Sequence, residues 1–289
     1  MSARKHLGRG IDSVSHLFLS RRRPSPQEAP AAADGPGAPR PVLFVVSGSD
    51  VISKSVVTCN VALELARRGH AVAVVDADPS QPTLRLQMGA VLAGGSPPVG
   101  ASAPSGASAP GAGPRAAGTT PARALLDGVH GVALFDTLDE AEADGASWDY
   151  VLVNAPARLF EGDVPPMEAS RVLLVLSAEP RELIHGYALV KRTAGWHSPL
   201  QLGIVVTGVP DEAAARSVFD QFLDVLGRRL SVFPAYCGFL AAGDALGRSV
   251  LRRTPAVVGA DDPRLVARLR GIAAAVAQEF EPGGRARNR

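Results

Sequence analysis

Cysteine is nearly absent, with two residues in a chain of 289. Cys59 and Cys237 lie far apart, each in an apolar pattern. This excludes a disulfide framework and predicts two reduced, buried thiols in a cytoplasmic protein. Aromatic residues make up only 5%, so a core drawn from this chain must be aliphatic. The six histidines are scattered and show no metal-ligand spacing. No apolar stretch approaches the length of a membrane span, and no signal peptide is visible. Neither sign of charge dominates: the net charge of +2 argues neither for nor against nucleic acid as a partner. Basic residues do gather at Arg21–Arg23 and at Arg285, Arg287 and Arg289, where such runs are ordinarily solvated tails.

What the chain does have is hydrophobic residues, at 46%, and one stretch that organises them. Pro41–Ser80 reads as an apolar strand, a turn resembling a phosphate loop, an amphipathic helix, and a second strand ending in Asp-Ala-Asp. A phosphate loop follows G-x-x-x-x-G-K-[ST]. Its glycines let backbone N–H groups curl around phosphate oxygens, its lysine reaches the outer phosphates, and its hydroxyl ligates Mg²⁺. Gly48, Lys54 and Ser55 stand in register with that pattern, while Ser53 occupies the second glycine position. If that position needs a positive φ, a side chain there costs about 1–2 kcal/mol. Asp76 and Asp78 follow the second strand at its carboxyl end, where ligands bind in open α/β sheets. There an aspartate pair can hold metal-bound water or orient an attacking one. The same two residues would also serve as turn and cap before a short helix around Thr83–Met88.

The rest of the chain repeats the strand–helix alternation. Continuous apolar runs at Val42–Val46, Ala71–Val75, Gly131–Phe135, Tyr150–Val153, Arg171–Leu176, Leu202–Val206 and Tyr236–Leu240 predict buried parallel strands. Helical spacing marks Val56–Arg68, Asp136–Asp144, Glu182–Ala194, Asp211–Arg228, Ala245–Arg253 and Pro263–Phe280. The first should end at Gly69 in a left-handed cap; the last should begin on Asp262 as N-cap with Pro263 at its first position. The expected fold class is α/β, a doubly wound, mostly parallel sheet with helices on both faces, of the phosphate-loop NTPase type. It should occupy residues 42–280, with a flexible insertion at about 91–121 built of Gly, Ala, Ser and Pro. Pro24–Pro41 reads as a linker and 281–289 as a basic tail. Residues 1–23 form a basic amphipathic segment; its stretch 8–23 suits an anionic membrane surface or a partner's groove, and equally a helix packed on its own domain or an unstructured arm.

In the order of these pieces the chain resembles the MinD/ParA family of deviant Walker-A ATPases, and within it the flagellar-number regulators FlhG and FleN. The resemblance is carried by Val42–Met88, Asp149–Ala157 (DYVLVNAPA), Ser177–Lys191 (SAEPRELIHGYALVK) and Gly238–Val258, which contains LGRSVLRRTPAVV. It implies ATP and Mg²⁺ as cofactors. It also implies roles for particular positions: Gly48 at the loop entry, Lys54 on the phosphates, Ser55 and Asp76 on the metal side, and Asp78 positioning the attacking water. Several positions depart from the family. Its signature lysine, which reaches across a dimer, falls at Ser49, and a loop glycine falls at Asp50. Asn154 stands for a Mg²⁺-side aspartate, Thr207 for the base-reading asparagine, and Ala241 for a following proline. The N-terminal motif by which flagellar members stimulate their GTPase partner is not recognisable in Met1–Ser20.

These losses fall on phosphate, metal and base contacts together, while strand cores and helix faces are kept. Phosphoryl transfer depends on positioning and charge stabilisation, so the expected protein is a regulator in flagellar placement or cell-pole organisation. It would act by binding partners, as a homodimer or with an intact family member, with ATP and Mg²⁺ bound weakly or not at all. Two alternatives stand beside it. One is a working ATPase cycling between a monomer and a dimer at the inner face of the membrane. The other is a DNA-partitioning component, which the lack of a basic stripe in the folded part disfavours.

Overall fold

The computed structural model describes residues 42–48, 52–78, 83–92, 122–124, 132–161, 170–196, 199–259 and 262–281. The N-terminal segment and linker, Ser49 and Asp50, most of the expected insertion, and the tail from residue 282 lie outside the described residues.

Eight strands form one sheet: β1 (Val42–Ser47), β2 (Val72–Asp76), β3 (Ala122–Ala124), β4 (Val132–Phe135), β5 (Tyr150–Asn154), β6 (Arg171–Ser177), β7 (Gln201–Val209) and β8 (Ala235–Ala241). Their order is β3-β4-β2-β5-β1-β6-β7-β8, and only β3 is antiparallel to its neighbour. All of β1, β2, β4 and β5 is buried, as continuous apolar strands require when helices cover both faces.

The helices are α1 (Ile52–Arg67), α2 (Thr83–Leu92), α3 (Leu138–Ala143), α4 (Pro180–Trp196), α5 (Glu212–Leu230), α6 (Asp244–Leu251), α7 (Ala256–Gly259) and α8 (Pro263–Glu279). Alternate residues of β1, β2, β4, β5 and β6 feed opposite cores. Leu43 and Val45 pack with α1, α2, α7 and α8. Val42, Phe44 and Val46 pack with α3, α4 and α5 on the other face. The sheet is doubly wound, as the sequence pattern implies.

Local signals account for the element ends. Gly69 has φ +93°, and the His70 N–H donates to the Leu65 carbonyl at 3.2 Å while the Gly69 N–H donates to Ala66 at 3.0 Å, closing α1 in a Schellman turn. Asp262 caps α8 through hydrogen bonds from the Arg264 and Leu265 N–H groups, with Pro263 at the first position. Those bonds, that from Leu265 foremost, hold its carboxyl below the usual range. Thr137, not Asp136, caps α3, accepting from the Glu140 N–H at 3.2 Å. The helix is therefore shorter than Asp136–Asp144, and the Asp136 carboxylate stays outside it. Helix α2 continues through Leu92, beyond the expected Met88. Helix α1 carries a long continuous buried stretch: every residue from Lys54 to Ala66 is buried.

Candidate nucleotide site at the carboxyl edge of the sheet

Three strands deliver the site. β1 ends at Ser47, followed by Gly48, and α1, starting at Ile52, carries Ser53, Lys54 and Ser55. β2 ends in Asp76, with Asp78 two residues on. β5, hydrogen-bonded between them, ends in Asn154, and the register sets Asp76 and Asn154 directly opposite each other. Lys54, Ser55, Asp76, Asp78 and Asn154 are all buried.

Lys54 is already engaged. Its Nζ lies 2.8 Å from Asp78 Oδ2 and donates at 2.8 Å to the carbonyl of Ala155. Both side chains of this ion pair are fully buried, a setting in which removing one partner typically costs about 3–5 kcal/mol because the other charge is stranded. Arg158, on the short 3-10 turn Ala157–Phe160 after β5, approaches the other Asp78 oxygen at 3.9 Å.

The neighbouring carboxylate is also surrounded. Asn154 Nδ2 donates to Asp76 Oδ1 at 2.9 Å and reaches Ser55 Oγ at 3.5 Å. The orientation follows from chemistry: the amide oxygen in that place would face a carboxylate oxygen with no proton between them. Arg85 Nε lies 3.1 Å from Asp76 Oδ2 and Arg85 Nη2 lies 2.7 Å from Asp136 Oδ1. The first contact is a close charge pair that is not aligned as a hydrogen bond, since Asp76 Oδ2 and Asn154 Oδ1 are buried without a hydrogen-bond partner. Burial pushes the Asp76 carboxyl up, and the Asn154 hydrogen bond and the Arg85 charge pull it part of the way back.

Gly48 marks a tight approach between the loop entry and α4. A Cβ at this position would stand 2.8 Å from His185 Cβ, 2.9 Å from the Glu182 carbonyl oxygen and 2.9 Å from the Gly186 nitrogen. Beside it opens a cavity of about 360 Å³, lined among others by Arg158, Phe160, His185, Leu189 and Arg192.

The structure thus brings together Gly48, Ser53, Lys54, Ser55, Asp76 and Asp78 at one edge. Ser53 lies in the first turn of α1 and does not have a positive φ, so the backbone cost allowed for a side chain there does not arise. Thr207 is buried at the carboxyl end of β7, opposite Ser177 and two strands away from β1, apart from this cluster. Ser49 and Asp50 lie outside the described residues. Sequence reasoning missed Arg85, Asp136 and Arg158; their only signal was position just past a strand or at the start of a helix.

No protein-family model matches the sequence, and no curated protein matches it. Solved structures do. A chain of the MinC:MinD cell division protein complex of Aquifex aeolicus is similar at a TM-score of 0.57 and 18% identity, over 85% of this chain and 98% of that one. MinD from Pyrococcus horikoshii, complexed with Mg-ADP, is similar at 0.53 and 15%, over 84% and 98%. ParA of pNOB8 bound to nonspecific DNA is similar at 0.53 and 13%, over 83% and 98%.

The chain has the fold of the MinD and ParA ATPases. In this MinD/ParA fold the residues present do not fit a divalent cation as they stand. The two oxygens that would share it, on Ser55 and Asp76, are bridged by the Asn154 amide nitrogen. The second Asp76 oxygen faces a guanidinium. Among the described residues no cluster of three or more His, Cys, Asp or Glu side chains could hold a metal ion. A phosphate reaching Lys54 would also compete with a carboxylate already in contact.

Proposed function

We propose that this chain is a MinD/ParA-like regulatory protein that acts by binding protein partners, with ATP hydrolysis weak or absent. Its setting is flagellar placement or number, or cell-pole organisation, in the cytoplasm and at the inner face of the membrane through residues 8–23. Its partner is a second copy or an intact member of the same family. One observation carries the loss of chemistry. The groups that would handle triphosphate and metal are buried and paired with neighbouring side chains: Lys54 with Asp78 in an ion pair, and Asp76 with the Asn154 amide and, as a charge contact, with Arg85. Catalysis of phosphoryl transfer needs charges held open toward the substrate, and here the charges are spent on each other. The flagellar setting rests on the resemblance carried by Val42–Met88, Asp149–Ala157, Ser177–Lys191 and Gly238–Val258.

A working ATPase is the second reading, favoured by the assembly of Lys54, Ser55, Asp76 and Asp78 at one edge. Phosphate release from Mg-ATP by the full chain distinguishes the two. The expected rate equals that of Lys54→Gln/Asp78→Asn, which keeps a neutral hydrogen bond where the ion pair was. Turnover in the wild type that this folded double variant lacks would establish the ATPase reading instead.

A further inference from the structure

Among the described residues, each aspartate at this edge has a cation in contact. Asp76 and Asp136 share Arg85, and Asp78 meets Lys54 and Arg158. A hard-cation site is built the other way, with carboxylate oxygens in excess so that the ion is the largest positive charge present. Two side chains account for the difference. Asn154 supplies an N–H donor where a carboxylate would add a negative charge. Arg85 bridges Asp76 and Asp136, across the ends of β2 and β4, from the first turn of α2. Arginine suits such a place because its guanidinium stays charged at any physiological pH and presents several donors in a rigid fork.

We infer that Arg85 is the resident cation of this site, and that with the Asn154 amide it replaces the divalent ion permanently. The edge between β2 and β5 is then held in its charge-compensated arrangement at all times, and no ligand that reaches it depends on Mg²⁺. The step goes beyond loss of hydrolysis, because a slow ATPase could still require its metal.

The test is Mn²⁺ uptake by the full chain with ADP present, read from the electron paramagnetic resonance signal of the free aquo ion as the loss beyond that in a protein-free solution of the same ADP. Wild type should take up no Mn²⁺ at this site. Asn154→Asp/Arg85→Ala leaves the carboxylates unbalanced and should bind Mn²⁺ at least about tenfold more tightly, the scale on which partners around a metal tune affinity. Should that variant fail to fold, Asn154→Asp alone carries the test, since it adds the same negative charge with Arg85 in place. Uptake by wild type that is lost in Asp76→Asn would overturn the inference. A folded variant that takes up no Mn²⁺ would overturn it as well. Failure here is separable from failure of the functional reading: Mn²⁺ uptake without phosphate release removes only the resident cation.

Discussion

Asp76 shows how one side chain records the conflict at this edge. Burial favours its neutral form, while the Asn154 amide and the Arg85 guanidinium favour the charged one, and burial prevails. A carboxyl raised in the folded state binds its proton more tightly there than in the unfolded chain. Its contribution to stability is therefore complete below the ordinary value of 3.8 and is lost as pH rises through the raised native value. Wild type should accordingly lose ground to Asp76→Asn as pH climbs from about 4 toward neutrality, followed by urea unfolding of both at each pH. A difference that stays flat would mean the carboxyl titrates alike in both states. The two thiols behave differently: burial pushes Cys237 up to about 12 and Cys59 higher still, so both are held as inert core groups.

The residues that match the phosphate-loop pattern were legible in the sequence, because the motif places Lys54 and Ser55 between a strand and a helix and Asp76 at a strand end; the helix itself starts at Ile52, before the expected Val56, and takes Lys54 and Ser55 into its first turn. Asn154 was legible only as a missing charge. That it donates to Asp76 follows from the β2–β5 register, which no local pattern states. Arg85 was hidden for the same reason. Its two partners lie on different strands, and nothing within the segment Thr83–Met88 distinguishes an arginine facing a strand edge from one facing solvent.

At the scale of elements, the contact between the end of β1 and α4 is the tightest joint near the site. Gly48→Ala forces a methyl against backbone atoms of Glu182 and Gly186, which cannot move without shifting the helix. Overpacking of this kind costs about 1–3 kcal/mol, and thermal unfolding should show that loss. Ala at Gly195 or Gly247, where an added methyl meets nothing within 4 Å, should not. Long, uniformly apolar strands and amphipathic helices were readable to within a few residues. Three short pieces were not: β3, the 3-10 turn and α7. Each is four residues or fewer, too short for any period to develop, and each exists because a neighbour supplies its partner. β3 pairs with β4, and α7 donates from its Val257 N–H to the buried side-chain Oδ1 of Asn60 on α1 at 3.0 Å.

For the molecule as a whole, the two aliphatic layers are unequal in how the chain completes them. The layer around α1 is closed by α8, through Leu265, Leu269, Ile272, Val276 and Phe280. Glu64 on α1 ties the two helices by charge, with Arg270 Nε at 3.3 Å. Removing residues 263–289 should therefore destroy the fold and not merely trim it. The truncated chain is expected to bind a hydrophobic dye and to lose its cooperative melting transition. A truncated protein that still melts sharply would show that the fold does not need α8.

That arrangement has a consequence for synthesis. α1 is the second of the described elements to leave the ribosome, yet the α8 side of its cover is made about 200 residues later, a delay on the order of 10–40 s at ordinary elongation rates. For that interval the sheet and α2 cover only part of an apolar helix. A chain cut short near its end leaves the same surface bare for good.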